Sequence, residues 1–292
     1  MKHLLVPTDF SETANNAIKF AIETSKIIPS KITLLHCFEV FDNVYIDFMG
    51  LNPTMEMSHE FNLKIIDELT ERLNKLKKGF EEEHKIEIGV KVYNMPLQNA
   101  IEVYSDEYEV DLVIMGTLGA TGLDEKIWGS RTSAVIGSAS VPVLAIPGSY
   151  KWKKPEKFLL ATNNFEKDKN ILNFIFEWAD LYLAQVHTSI FTDEEKTTSK
   201  FLSEEKALKE YSEYLKSEYN EEDLSASHIH GKNFVESMLQ LIIDKEIDIF
   251  TMITYQHGFW KRLFNPSKTK QMSFKLNIPL LAIPSNLGEK ID

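Results

Sequence analysis

The sequence has a single cysteine, Cys37, among its 292 residues. One thiol cannot form an intrachain disulfide and cannot supply a cysteine-based zinc cluster. This low cysteine usage is typical of a reducing compartment, so we predict a cytoplasmic location. No apolar run approaches the roughly 20 residues that a membrane span needs, and Pro7 and Asp9 interrupt the N-terminal run. We therefore predict neither a membrane-spanning segment nor a signal peptide.

Positive charge is also scarce, because 32 lysines and arginines face 44 aspartates and glutamates, for a formal net charge of −12. Such a balance disfavours a nucleic acid or an anionic membrane as the main partner, although one local site can still bind a small anion. The Gly-x4-Gly-Lys-Ser/Thr loop and the kinase signature are absent as well. The sequence therefore lacks visible machinery for efficient phosphoryl transfer.

What the sequence does contain is an internal repeat. The segment VDLVIMG at residues 110–116 recurs as IDIFTMI at 247–253, and SVPVLAIP at 140–147 recurs as NIPLLAIP at 277–284, both 137 residues later. The openings KHLLVPTDF and KFLLATNNF match with an offset of 155. Gly, Ser, Pro and charged residues between the copies mark a linker. We predict two domains, residues 1–149 and 156–292.

Within the first copy, short apolar runs alternate with segments of helical periodicity. The predicted strands are residues 3–6, 32–38, 86–93, 112–115 and 141–146. Ser11 can cap a helix whose apolar face begins at Ala14, and two further amphipathic helices start near Leu69 and Leu97. The pattern predicts an α/β fold, two tandem copies of a five-stranded, mostly parallel, doubly wound Rossmann-like sheet. Ligands are then expected at the carboxyl ends of the strands.

A glycine-containing loop follows the fourth predicted strand. Gly116 and Gly119 allow backbone N–H groups to approach a polyphosphate and allow positive φ. Gly129 and Ser130 stand where the next helix begins, and a helix N-terminus attracts anions. The hydroxyls of Ser130 and Thr132 could bind phosphate oxygens or magnesium. A tight turn alone would also explain a lone Gly-x-x-Gly.

The spacing Gly-x2-Gly-x9-Gly-Ser, between the strands VDLVIMG and VPVLAIP, resembles the signature of the universal stress protein family. The segments VPTDFS and LLHCFE extend the resemblance, which covers the first half closely and the second half as a degenerate copy. It implies a sheet of the adenine-nucleotide α-hydrolase-like kind. It also implies binding of ATP, with or without magnesium, because a subset of members binds ATP.

The resemblance further implies which residues bind the nucleotide. Asp9 corresponds to an acidic residue near the ribose and adenine, and the backbone of Cys37 to a position at the adenine edge. The complete predicted cofactor site is Pro7, Thr8, Asp9, Cys37, Met115, Gly116, Gly119, Gly129, Ser130, Arg131 and Thr132. Asn94 stands where the family often has glycine, at a position expected to be peripheral. No catalytic residue and no protein metal site are predicted.

The second copy has lost the glycines. Its residues at the positions of Gly116, Gly119, Gly129, Ser130 and Asp9 are expected to be Ile253, Gln256, Pro266, Ser267 and Asn164. A branched side chain resists positive φ and proline removes a donor, so we expect one nucleotide per chain, in the first copy. The second copy is expected to pack on the first as a pseudo-dimer. Pairing of the last strands within the chain, and a homodimer through the same edges, are also expected.

Three functions stay open. We predict a binding protein that uses ATP in stress response or signalling. The alternatives are a weak ATPase or self-phosphorylating enzyme acting at Ser130 or Thr132, and a nucleotide-free scaffold acting through dimerisation.

Four histidines outside this loop are further candidates. His228 and His230 share one face of a predicted strand, but no third ligand stands at a telling spacing. His187 is expected to match His36 in position near the end of the second strand of its copy.

Overall fold

The structure is a computed structural model that describes residues 1–39, 55–117, 130–162, 165–193, 198–255 and 277–288. The first half contributes β1 (Lys2–Pro7), α1 (Glu12–Ile27), β2 (Ser30–Phe38), α2 (Met55–His84), β3 (Ile88–Asn94), α3 (Leu97–Tyr108), β4 (Leu112–Gly116), α4 (Ser130–Ser138) and β5 (Val143–Ile146). The second half contributes β6 (Lys157–Ala161), α5 (Lys169–Tyr182), β7 (Gln185–Asp193), α6 (Thr198–Tyr219), β8 (Ser225–Gly231), α7 (Phe234–Asp244), β9 (Ile249–Thr254) and β10 (Leu280–Pro284).

All ten strands belong to one sheet, in the order β3-β2-β1-β4-β5-β10-β9-β6-β7-β8. Neighbouring strands are parallel within each half, and only β5 and β10 are antiparallel. Each half therefore repeats the same five-strand order, which confirms the predicted fold of two tandem doubly wound copies. No helix in the described part of the chain is long and apolar enough to cross a membrane.

The first helix illustrates how the sequence pattern becomes structure. Ser11 caps α1 by accepting a hydrogen bond from the Ala14 N–H, as predicted. The apolar residues that recur with helical period, among them Ala17 and Ile18, are fully buried against the sheet. Burying a side chain the size of Ile18 stabilises the fold by about 1.5–3 kcal/mol.

Two apolar layers cover the sheet, one on each face. Helices α1, α2, α5 and α6 bury residues such as Ile18, Leu73 and Phe176 on one face. Helices α3, α4 and α7 bury residues such as Ile101 and Val135 on the other. Each layer runs through both halves of the chain, so the two halves share their cores.

The two halves join at the middle of the sheet, where Leu144 of β5 pairs with Leu281 of β10. Nearby, the hydroxyls of Thr24 and Tyr182 are hydrogen-bonded at 2.6 Å. Because β4 and β9 occupy the other sides of β5 and β10, neither strand has an edge left for a second chain. The homodimer expected through the last-strand edges is therefore not available in this arrangement.

The strand register corrects the offset expected between the openings of the two copies. Asp111 accepts the N–H of His3, and its counterpart Asp248 accepts that of Lys157. His3 therefore corresponds to Lys157, and not to Phe158, which the matching letters KHLL and KFLL suggested. The register is described as far as Thr162, which precedes Asn163 and Asn164, so the counterpart of Asp9 stays a prediction. Both asparagines lie outside the described residues.

The expectation that His36 and His187 occupy matching positions is wrong for the same reason. His187 lies near the start of β7, opposite Ser225, and corresponds to Thr33. Its ring nitrogens contact the hydroxyls of Ser225 at 2.6 Å and Ser227 at 2.9 Å. The counterpart of His36 is Ile190, which is buried.

Candidate functional site

A cleft lies at the carboxyl ends of β1, β2 and β4, beside the start of α4. Crevices at this edge of a parallel sheet are the usual ligand sites of such folds. The cleft is lined by eight residues of the predicted site, namely Pro7, Thr8, Asp9, Cys37, Met115, Gly116, Arg131 and Thr132. Ser130 is exposed at the start of α4 and does not line it. Gly119 and Gly129 lie outside the described residues.

The turn after β1 is shaped by its own side chains. The Phe10 N–H donates to the Thr8 hydroxyl at 3.1 Å, and the Ser11 N–H donates to a carboxylate oxygen of Asp9 at 3.0 Å. Such local hydrogen bonds favour a tight turn. They hold the backbone that places the Asp9 carboxylate at the cleft.

Gly116, at the end of β4, makes a close packing contact with helix α1. It is not among the residues with positive φ. A Cβ atom on Gly116 would lie 2.8 Å from Cγ2 and 2.9 Å from the backbone oxygen of Thr13. The glycine therefore allows helix α1 to approach the end of β4, and its requirement does not depend on a ligand.

The Thr132 hydroxyl is also occupied within the protein. It donates to the carbonyl oxygens of Gly116 at 3.0 Å and Thr117 at 3.2 Å, and only 2% of the residue is exposed. A proton used in this way is not offered to a phosphate. Thr132 thereby links the start of α4 to the end of β4.

Charges of both signs reach the cleft. The carboxylates of Asp9 and Glu39 and the guanidinium of Arg131 all line it. Burial raises the pKa of the Cys37 thiol to about 12, Glu39 acts in the same direction, and Arg131 opposes it. The thiol stays protonated near neutral pH, which favours a packing role over redox reactivity.

Several lining residues were missed by the sequence reasoning. They are Ala14, Leu35, Glu39, Met95 and Leu97. Met95 and Leu97 follow β3, directly after Asn94, which is not among the lining residues. Met95 and Leu97 could have been predicted, because the carboxyl end of β3 meets the same edge of the sheet as the ends of β1 and β2.

The second half is built differently at the same edge. Ile253, at the position of Gly116, is buried in the apolar layer and has no positive φ. The Tyr255 hydroxyl donates to the Glu166 carboxylate, which links the segments after β9 and β6. Gln256, Pro266 and Ser267 lie outside the described residues. Where it is described, the edge carries an isoleucine and an internally bonded tyrosine instead of the glycine.

The histidines of β8 pack around an aromatic ring. His228 stacks on Phe201 with ring centroids 4.1 Å apart, and its Nε2 lies 2.7 Å from the Thr192 hydroxyl. His230 meets the same ring edge-on at 5.2 Å. Within the described ranges, no group of three or more His, Cys, Asp or Glu side chains is placed to hold a metal ion.

Comparisons with known proteins agree with the fold. The model of the universal stress protein family matches residues 1–147. Two universal stress proteins of Methanocaldococcus jannaschii are each 30% identical to the chain. One aligns over 153 residues, covering 50% of this chain and 94% of that protein. The other aligns over 165 residues, covering 53% and 84%.

A solved structure extends the likeness to both halves. The crystal structure of a universal stress protein from Archaeoglobus fulgidus matches with a TM-score of 0.65, covering 97% of this chain and 98% of that chain. The identity is 16%, so this likeness concerns the fold alone.

Proposed function

The chain belongs to the universal stress protein family, in a tandem two-domain form, and on that premise we propose that its first half binds an adenine nucleotide, ATP above all. The observation that carries the proposal is the cleft at the ends of β1, β2 and β4. It brings together eight residues that were singled out from widely separated parts of the sequence. A nucleotide bound there would serve stress response or signalling.

The chemistry of the lining fits the parts of a nucleotide. The Asp9 carboxylate would accept hydrogen bonds from ribose hydroxyls. Met95 and Leu97 offer apolar surface to a base beside the Cys37 backbone. Arg131, in the first turn of α4, would neutralise phosphate charge together with the free N–H groups of the helix start. Magnesium, if it accompanies the nucleotide, would be bound mainly through the phosphates.

We further propose that the two domains, residues 1–149 and 156–292, form an internal pseudo-dimer with one nucleotide per chain. The antiparallel pairing of β5 with β10 supports the pseudo-dimer. Burial of Ile253 and the Tyr255 hydrogen bond to Glu166 support an empty second half. The second domain would then act as the structural partner of the first.

Calorimetric titration of the whole chain with ATP, with and without magnesium, tests the proposal. We expect saturable binding at one site per chain. Substituting Arg131→Met removes the cation from the cleft and is expected to weaken ATP binding about 10- to 100-fold, since a charged hydrogen bond is worth about 1.5–3 kcal/mol. Absence of saturable binding to the unmodified chain would favour the scaffold alternative and overturn the proposal.

Lys169→Met is the matched control. Lys169 is also a cation in the first turn of a helix, in the second half, where it pairs with Glu218 on the surface. Its removal is expected to leave ATP affinity unchanged, and equal losses in the two variants would indicate a long-range charge effect. Gly116→Val is unsuitable, because the new side chain would collide with Thr13 whether or not ATP binds. Phosphate release during the titration would reveal the ATPase alternative.

A further inference from the structure

We infer that His36, which does not line the cleft, is a positioning residue that holds the turn carrying Thr8 and Asp9 in its ligand-binding shape. The inference rests on the proposed function. His36 lies on β2, and its Nδ1 is 2.7 Å from the carbonyl oxygen of Thr8. A carbonyl oxygen only accepts hydrogen bonds, so Nδ1 carries the proton and donates it.

The backbone of the turn contains one left-handed residue, as does the segment after β6, where Phe165 has φ of 50°. Phe10 has φ of 64°, a left-handed conformation that residues with a side chain rarely adopt. Residues in this region persist where surrounding contacts over-determine them, and they cluster at functional sites. The two hydrogen bonds inside the turn and the one from His36 supply these contacts at three points of the backbone.

The Phe10 side chain also contacts His36, together with Arg72 of helix α2. Its ring centroid lies 4.6 Å from that of His36, and the Arg72 guanidinium lies 4.0 Å from the Phe10 centroid. A cation over an aromatic face is attracted by the ring. Helix α2, which carries Arg72, and strand β2, which carries His36, therefore both fix the residue next to Asp9.

The fold itself does not demand a histidine here. The corresponding residue of the second half is Ile190, which is 3% exposed and has no donor to offer. The same sheet order forms there without this hydrogen bond. His36 is thus a feature of the half that has the cleft, which links it to the site.

Burial and two nearby arginines keep the His36 ring neutral near pH 7. Burial lowers the pKa of His36, and the positive charges of Arg72 and Arg131 lower it further. The Thr8 carbonyl and the Asp9 carboxylate act in the opposite direction without reversing the shift. A neutral ring with its proton on Nδ1 donates to Thr8 and adds no charge beside Asp9.

Three substitutions separate hydrogen bonding from packing. Asparagine can place an amide N–H where Nδ1 stands, glutamine extends the amide beyond it, and phenylalanine keeps a ring without a donor. We expect His36→Phe and His36→Gln to bind ATP about 10-fold more weakly, because the Thr8 carbonyl loses its donor. His36→Asn should stay within about 3-fold of the unmodified chain. Affinities are measured by calorimetry, with thermal unfolding measured in parallel.

His187→Phe is the control, because it makes the same change at a buried histidine of the second half. It is expected to lower stability and leave ATP affinity unchanged. If the unmodified chain binds no ATP, the proposed function fails. If that chain binds ATP and His36→Phe binds it equally well, the positioning role fails while the function stands. Should the phenylalanine variant not fold, the contrast between asparagine and glutamine carries the test, and equal affinities of those two would overturn the role.

Discussion

The two halves of the chain share a sheet topology and differ at the edge where ligands bind. Asp111 and Asp248 have the same structural role. Each carboxylate accepts backbone N–H groups at the start of the first strand of its half, β1 or β6. At the carboxyl ends, by contrast, the first half has Gly116 beside a cleft and the second half has a buried Ile253. The comparison teaches that the residues that define strand order are retained, while those at the loop edge are free to diverge.

The largest expected effect on stability comes from changing the size of the side chain at the position that Gly116 and Ile253 share. Ile253→Ala should lower the free energy of unfolding by about 4 kcal/mol, because it leaves a cavity in the shared apolar layer. Gly116→Ala should cost about 2 kcal/mol, because its Cβ meets the backbone of Thr13. Equilibrium unfolding in urea measures both.

Gly79→Ala provides the control for the glycine substitution. A Cβ on Gly79, in helix α2, would meet nothing within 4 Å. Alanine there should stabilise the chain by about 0.5–1 kcal/mol, through its higher helix propensity. If Gly116→Ala behaves like Gly79→Ala, the close approach of α1 is not what requires glycine at the end of β4.

The next effect on stability concerns the aspartate that both halves share, Asp111 in the first half and Asp248 in the second. Asp248 is 3% exposed, accepts the N–H groups of Glu156 and Lys157, and pairs with Lys153. Asp248→Ala should therefore cost about 3 kcal/mol, since it leaves buried donors without an acceptor. Asp111 accepts one N–H group and is more exposed, so Asp111→Ala should cost about 1 kcal/mol. Equal losses in urea unfolding would mean that burial does not distinguish the two carboxylates.

Much of the fold was accessible from the sequence because its elements follow local rules. Helical periodicity and the Ser11 cap predicted α1, and apolar runs predicted β1 and β5 to within two residues at each end. The correct alignment of β1 with β6, which differs by one residue from the letter match, could not be predicted from the sequence. Letter matches align Lys2 with Lys157, whereas backbone pairing and the alternation of faces decide the register.

The candidate site, like the fold, was partly predictable from the sequence. The topological rule for parallel sheets predicts that residues after β1, β2 and β4 meet, and applying it to β3 would have included Met95 and Leu97. The roles of Gly116 and Thr132 depend on how closely α1 and α4 pack on the sheet. Such distances are set by tertiary packing, and no spacing in the sequence encodes them.

The last of these stability effects is a pH dependence that belongs to the second half. Burial lowers the pKa of His187, and together with the positive charges of Lys245 and Lys157 it brings the pKa to about 4. Its unfolded pKa is near 6.5, so the unfolded chain binds the proton first as the pH falls. The stability that the neutral ring provides is complete above pH 6.5 and is lost between pH 6.5 and 4. After allowance for solvent screening, we expect a loss of about 2 kcal/mol.

His187→Thr tests this dependence, because it copies Thr33, the residue at the corresponding position of the first half. The threonine cannot titrate, so the difference in stability between the variant and the unmodified chain should shrink as the pH falls from 7 to 4. Urea unfolding at several pH values measures that difference. A constant difference would mean that His187 takes up no proton on unfolding, and that the acid sensitivity of the chain arises from groups that both halves share.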